Sequence, residues 1–257
     1  AMVIIARELT VAFHNLFTTR KYKLILISLV LIAAFISVSE LAVAKLFTGI
    51  ILNEDKMSET KLIIFVVGFF LFFGATRAGH FLQRIYRVNV FEKAFKESNS
   101  DVKGARENWR WSLAFELTSL LSAFTQLFVI IVFFTYLNWG FGLLNIVMVV
   151  CIFHIYGRLF KGQIEAQRGF VQAKRDKNPV ANVVRIGTRI KSGEKGILIS
   201  GSIMLILLGA LIYLSYNGDI SKSDTIVIFF GLRMQNSNLS NISNGLMRFA
   251  RALTHSE

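Results

Sequence analysis

The sequence contains a single cysteine and a single proline among its 257 residues. Cys151 lies in an apolar run, which excludes a disulfide framework within the chain and a cysteine-based metal site. Proline removes a backbone donor and breaks helices. Because Pro179 is the only proline, the long stretches on either side of it can form uninterrupted helices.

Acidic residues are also scarce: 16 Asp and Glu stand against 29 Lys and Arg, for a formal charge of +13. In a soluble protein this charge would suggest a nucleic-acid partner. Here 54% of the residues are hydrophobic and the mean hydropathy is +0.54, above ordinary soluble domains. The composition predicts a polytopic membrane protein whose excess Lys and Arg mark cytoplasmic loops, and no nucleic-acid partner is expected.

The apolar runs are long, which predicts an all-α membrane protein. Residues 1–20 contain an amphipathic helix, with Ile5, Leu9 and Phe13 on its apolar side, that is expected to lie on the membrane surface. Residues 21–257 are expected to form one transmembrane domain. Its six predicted spans cover residues 24–52, 61–98, 106–137, 141–174, 179–216 and 223–251.

The loops on one side of these spans are short and neutral or acidic, as at residues 53–60, whereas Lys and Arg gather on the other side. The positive-inside rule then predicts that both termini are cytoplasmic, and we expect the membrane to be a bacterial inner membrane. Glu40 and Lys45 lie near the far end of the first span. Both are expected close to the outer headgroups.

Spans two to five exceed the roughly 20 residues that cross a bilayer. The segment 61–98 alone would measure about 57 Å at 1.5 Å per residue. Because the surplus carries the positive charge, two helical hairpins are expected to project into the cytosol, where their tips suit a cytosolic partner. At the second tip, Asn178 is expected to cap the fifth span and Pro179 to take its first helical position.

The last span begins apolar and becomes polar without a breaker. Lipid cannot satisfy amides and a guanidinium, so such a stripe should face a bundle interior or a water-filled cavity. Alternatively, the membrane ends near Arg233 and the rest is a hydrated cytosolic extension. At 3.6 residues per turn, the residues that share the stripe are Arg233, Ser237, Ser240, Asn241, Asn244 and Arg248.

This layout resembles the transmembrane domain of an ABC exporter. The resemblance is carried by the amphipathic first helix, by LFTGIIL at residues 46–52, by four overlong helices, and by GDISKSDTIVIFFGLRMQNSNLSNISNGL at residues 218–246. It covers essentially the whole chain and rests on layout rather than on a sharp motif. It implies a dimer with a second transmembrane subunit, identical or paralogous, in which the hairpins of spans four and five are exchanged.

The resemblance also implies that the hairpin tips, residues 99–108 and 174–181, dock on cytoplasmic ATPase subunits. No G-x-x-x-x-G-K-[ST] loop occurs in the sequence, so ATP and Mg are expected on a partner subunit and no cofactor is expected in this chain. The hairpins are shorter than the family pattern. The tip residues expected to contact the ATPase are Asn99, Asp101, Lys103, Arg106, Arg175, Asp176, Asn178 and Pro179.

On the same resemblance, polar faces of spans two, three and six line the transport pathway. The excess of arginine over carboxylate suggests an anionic or amphipathic cargo, because an unpaired cation in a membrane is costly. Alternatively, Arg77 or Arg84 pairs with Glu116 inside the bundle, and His80 is structural. The expected pathway residues are Arg77, His80, Arg84, Glu116, Arg233, Asn236, Asn241 and Asn244.

Catalytic motifs such as H-E-x-x-H and G-x-S-x-G do not occur, so no catalytic site is expected in this chain. Two other functions use the same features. One is an ATP-independent channel or ion-coupled carrier, which predicts flux driven by a gradient alone. The other is a non-transporting membrane anchor or regulator built on the exporter scaffold, which predicts a partner and no flux.

Overall fold

The computed structural model describes residues 2–17, 20–52, 58–98 and 105–256, with the backbone alone for residues 91, 94–98, 105–107 and 256. All secondary structure in these ranges is helical, which confirms the predicted all-α class. The helices are α1 (Met2–Leu16), α2 (Arg20–Leu52), α3 (Glu59–Ser98), α4 (Ala105–Leu137), α5 (Trp139–Arg175), α6 (Asn182–Tyr216) and α7 (Lys222–Ser256).

Five of these helices, α2 to α6, are long and apolar enough to cross a membrane, as expected of an integral membrane protein. The sixth predicted span, α7, does not meet that standard because its second half is rich in Asn, Ser and Arg. The predicted bounds of α2 to α5 differ from the observed ones by at most four residues. The 40 residues of α3 correspond to about 60 Å, twice the thickness of a bilayer core.

Local chemistry explains where α5 begins. The side chain of Asn138 accepts a hydrogen bond from the backbone N–H of Phe141 at 2.9 Å, so Asn138 caps the helix. The turn is tight, since a Cβ added at Gly142 would collide with Thr135 of α4. The α4–α5 connection is therefore a compact hairpin.

The connection between α5 and α6 differs from the prediction. The structure starts α6 at Asn182, with Ala181 as a cap that makes no side-chain hydrogen bond. Asn178 and Pro179 precede it in non-helical backbone, so the predicted cap at Asn178 was wrong. The reason lies at the end of α5. Lys177 takes a left-handed conformation (φ 59°), and the N–H of Asn178 bonds back to the carbonyl of Ala173. That bond ends α5 in the manner of a Schellman motif.

Helix α7 occupies the centre of the fold. It packs against α2, α4, α5 and α6, most extensively against α4 and α6. Its apolar face, which includes Leu239, Ile242 and Leu246, is buried. By contrast, α3 packs mainly on α2 and most of its surface is exposed. The amphipathic α1 buries Ile5 and Leu9 against the bundle, where α1 contacts α4 and α5.

Candidate polar surface of α3, α4 and α7

The predicted stripe of α7 turns away from the helix bundle of its own chain. The side chains of Arg233, Ser237, Asn241 and Arg248 are exposed, whereas the opposite face of the helix is buried. In hydrocarbon the side chains of Arg233, Ser237 and Asn241 would have no hydrogen-bond partner from the lipid. If α7 crosses the membrane, this face therefore needs water or a second subunit against it.

Two of the predicted pathway residues lie off that face. Asn236 and Asn244 are partly buried on the side that meets α6. The side chain of Asn244 lies against Gly193 of α6, where a Cβ would collide with it. Asn236 lines the α6–α7 boundary beside Ser200 and Leu207, and its Oδ1 is buried without a partner. These two amides belong to the helix interface.

A polar connection joins α7 to α4. The Nε of Arg248 donates to Oε1 of Glu116 at 2.7 Å. Neither Arg77 nor Arg84 pairs with Glu116, so that alternative was wrong in its choice of partner. Glu116 is the less exposed of the two, with 20% of its side chain accessible against 46% for Arg248. The pair therefore lies at the edge of the polar face of α7.

Arg87 of α3 contacts the same part of α4. The Nη2 of Arg87 donates to Oγ of Ser119 at 3.0 Å and to the carbonyl of Phe115 at 3.4 Å. The guanidinium carbon lies 4.5 Å from the ring centroid of Phe115, and Arg87 and Glu116 attract each other electrostatically. Arg87 thus connects α3 to α4, a role that the sequence did not reveal.

Arg77 and Arg84 are exposed on α3. Arg77 contacts the ring of Phe73 on its own helix, 5.3 Å from guanidinium carbon to centroid. Among the side chains that the structure describes, neither arginine forms an ion pair. We call the set Arg77, Arg84, Arg87, Ser119, Glu116, Arg233, Ser237, Asn241 and Arg248 the polar surface; it holds five arginines and one carboxylate.

His80 and Glu40 join α3 to α2. The Nε2 of His80 lies 3.1 Å from Oε1 of Glu40. The helices cross closely beside this pair, because a Cβ at Gly79 would come within 3.0 Å of Ile36. The contact gives His80 a helix-joining role. Lys45, the other charged residue in the second half of α2, pairs with Asp224 at the start of α7.

The buried amide and hydroxyl contacts of α5, α6 and α7 were not foreseen. Asn145 and Gln235 exchange hydrogen bonds of 2.8 and 2.7 Å. The hydroxyl of Tyr156 donates to the carbonyl of Leu239 at 2.9 Å, and Ser243 donates to the carbonyl of Gly193 at 2.9 Å. The sequence did contain one indication of this contact: Gly193 and Gly196 on α6 and the serines of α7 are small residues, and small residues let membrane helices approach each other.

The predicted ATPase-contacting residues separate into two groups. Arg175 ends α5, and Asp176, Asn178 and Pro179 follow it in the exposed connection to α6. That connection contains no helix. The other four residues cannot be placed in the same way: Asn99, Asp101 and Lys103 fall outside the described residues, and of Arg106 only the helical backbone of α4 is described.

No group of three or more His, Cys, Asp or Glu side chains that could hold a metal ion occurs in the described ranges. No protein-family model matches the chain, and comparison with curated proteins finds no match. The functional interpretation therefore rests on the geometry of the polar surface.

Proposed function

We propose that this chain is the transmembrane subunit of a dimeric ABC-type exporter and that its polar surface lines the transport pathway. The observation that carries the proposal is the outward orientation of Arg233, Ser237 and Asn241 on α7. A spanning helix can turn such a face away from its own bundle only toward water or a second subunit.

The contacts between α6 and α7 support a spanning role for α7. At one end Thr225 donates to Ser215 at 2.9 Å, and at the other Ser243 donates to Gly193 at 2.9 Å. The 18 helical steps from Thr225 to Ser243 correspond to about 27 Å of helix, close to the thickness of a hydrocarbon core. Since α6 has the length and composition of a span, its close neighbour α7 crosses with it.

The charge of the polar surface supports an anionic or amphipathic cargo. Arg77, Arg84 and Arg233 have no carboxylate partner among the described side chains. Guanidinium groups bind carboxylates and phosphates through paired hydrogen bonds. A pathway lined in this way favours an anion over a cation.

The proposed energy source is ATP hydrolysis by cytoplasmic ATPase subunits. Helices of 33 to 40 residues extend beyond a bilayer, and the exposed connection at residues 176–181 offers a docking tip. The positive-inside rule supports cytoplasmic termini, and the proposed membrane is a bacterial inner membrane. The second transmembrane subunit is either the same chain or a paralogue.

One observation favours a different energy source. His80 and Glu40 form a contact between α3 and α2, and His and Glu side chains within membranes relay protons in ion-coupled carriers. An ATP-independent carrier is thus the second candidate. An anchor or regulator without transport activity is the remaining outcome.

Water access to α7 tests the central claim. In a Cys151→Ala background, Ser237→Cys and Asn241→Cys are treated with a membrane-impermeant thiol reagent in sealed inside-out vesicles. Phe230→Cys is the matched control, since Phe230 is exposed on the same helix but apolar. Reaction at positions 237 and 241 but not at 230 supports water at the polar face of α7, which a pathway requires and a lipid-facing helix lacks. If all three thiols are equally inert, the proposed pathway is wrong.

The energy source requires a second measurement. The chain is purified gently from its native membrane, and copurifying subunits are identified, with and without replacement of residues 174–181 by a Gly-Ser linker. An ATPase that is lost on replacement supports the exporter. Uptake into proteoliposomes driven by a proton gradient alone, with no copurifying ATPase, supports the carrier; a partner without flux supports the anchor.

A further inference from the structure

Four cationic side chains and one histidine lie near one another at the end of the bundle formed by α5, α6 and α7. Arg251 lies within electrostatic range of Arg185 and Arg189 on α6. His255 lies within range of Arg251, Arg185 and Lys174. We call these five residues, from three helices, the cationic cluster.

Trp109 of α4 packs against this cluster. Its ring centroid lies 4.5 Å from that of His255, in an edge-on arrangement. The guanidinium carbon of Arg251 lies 5.2 Å from the Trp109 ring. Trp109 therefore contacts two of the five residues of the cluster, and its ring is partly exposed beside them.

No carboxylate balances the cluster among the side chains that the structure describes. None of the five residues forms an ion pair there. Arg185 donates from Nη2 to Asn182 at 3.2 Å, while its Nε is buried without a partner. Like charges gathered in this way repel one another. The Nε of Arg185 and the repulsion both favour a bound anion.

The members of the cluster nearest the membrane, Arg189 and Arg251, lie beside the lipid headgroups if the helices cross as proposed. The uncharged segments 117–137 of α4 and 197–216 of α6 each suit a bilayer core. Trp109 and Arg189 are each eight residues before those segments, or about 12 Å along the helix. The headgroup layer covers about 5–8 Å of that distance, and arginine side chains extend along the apolar surface toward it.

We propose that the cationic cluster is a phosphate-binding site that holds the headgroup of an anionic phospholipid from the cytoplasmic leaflet, with Trp109 as one wall. Guanidinium groups on neighbouring helices suit a phosphate because they donate in parallel to its oxygens. Basic pockets between membrane helices on the cytoplasmic side recognise such headgroups. This inference depends on the membrane placement of the helices and not on the ATPase or the cargo.

The test compares lipid retention by the full chain and its variants. Protein purified from membranes is exchanged into detergent with phosphatidylglycerol or phosphatidylcholine, and bound lipid is counted by native mass spectrometry. The cluster variant is Arg189→Gln with Arg251→Gln, the two arginines nearest the membrane. The control is Lys191→Gln with Lys195→Gln, which removes the same charge from exposed positions of α6 outside the cluster.

Retention of phosphatidylglycerol by the wild type and the control, with a loss of at least about tenfold in the cluster variant, supports the proposal. Equal retention by all three proteins overturns it. Inorganic pyrophosphate serves as a soluble probe. If pyrophosphate raises the melting temperature of the wild type while phosphatidylglycerol is not retained, the site takes a soluble phosphate and the lipid assignment is wrong.

Misfolding of the cluster variant is excluded by a separate measurement. In phosphatidylcholine its melting temperature is expected to equal or exceed that of the wild type, because the substitutions remove like-charge repulsion. Arg189→Lys with Arg251→Lys keeps the charge but loses the paired donors. Retention below that of the wild type supports paired donation to a phosphate; retention equal to that of the wild type contradicts it.

Discussion

Asn145 of α5 and Gln235 of α7 form a reciprocal pair in which each amide donates to the other, at 2.8 and 2.7 Å, with both side chains buried. This pair and the hydrogen bond from Tyr156 to the carbonyl of Leu239 are polar contacts between two helices that also meet through apolar side chains. Interhelical hydrogen bonds in membranes contribute modestly, but a single unpaired amide in a dry interface is unfavourable.

The Asn145–Gln235 pair leads to a prediction for a double-mutant cycle. Asn145→Leu or Gln235→Leu alone should reduce the free energy of unfolding by about 1 kcal/mol, because each leaves the other amide unpaired. The double variant should lose less than the sum of the two. The free energies of unfolding are measured in mild detergent by adding increasing amounts of a denaturing detergent. Additive losses would show that the amides are not coupled. Ser202→Ala, which removes only an exposed bond within α6, serves as the control.

The close crossing of α6 and α7 leads to a second prediction. A Cβ at Gly196 would collide with Ser243 and approach Tyr156, so Gly196→Ala should destabilise the protein by about 1–3 kcal/mol through overpacking. Gly201→Ala and Gly209→Ala, on the same helix with open space around the added Cβ, should be neutral or slightly stabilising. Melting temperatures of the three variants provide the comparison. A Gly196 variant as stable as the other two would show that the helices are not in close contact there.

Replacement of Arg233 is expected to change transport without changing stability. Because its side chain is exposed and has no ion-pair partner among the described residues, Arg233→Gln should leave the melting temperature unchanged. If the polar surface lines the pathway, the same variant should reduce flux of an anionic cargo by about tenfold, the effect of losing one charge-assisted hydrogen bond. Arg158→Gln removes an exposed arginine of α5 as a control. Equal flux in both variants would count against a pathway role for Arg233.

His255 leads to a prediction about pH. Burial first, and then Arg251, Arg185 and Lys174, lower the pKa of His255 below its ordinary value of 6.5. The unfolded chain therefore binds a proton at a higher pH than the folded one, so this group makes the folded protein less stable as the pH falls below about 6.5. Melting in phosphatidylcholine from about pH 7.5 to about pH 5.5 should show this loss, and His255→Gln should reduce it. The same slope in both proteins would assign the loss to other groups.

A phosphate bound in the cationic cluster reverses the effect of low pH at His255. An anion in the cationic cluster stabilises protonated His255, so binding takes up a proton and should tighten as the pH falls. Retention of phosphatidylglycerol should then rise between about pH 7.5 and about pH 5.5 in the wild type. If the wild type retains phosphatidylglycerol equally at all these pH values, His255 does not contribute to the binding site.

The sequence by itself determined the class of the protein and the positions of its helices. The reason is local: uncharged runs of about 20 residues and single breakers are properties of short segments. Thus the ends of α2, α3 and α4 were predicted within a few residues. The start of α6 was predicted three residues early, with a cap at Asn178, because the left-handed Lys177 extends the turn beyond Pro179, and a positive φ at a lysine has no local sequence signal.

Only the tertiary structure decided which polar groups meet. The spacing of residues on α7 aligned Arg233 with Asn244, but the rotation of the helix depends on where its neighbours allow close approach. Gly193 admits Asn244 into the α6 interface, while Arg248 turns to Glu116 and Arg233 stays exposed. Pairs such as Asn145–Gln235 and Trp109–His255 join residues far apart in the chain. Their partners depend on packing, which periodicity within one helix does not encode.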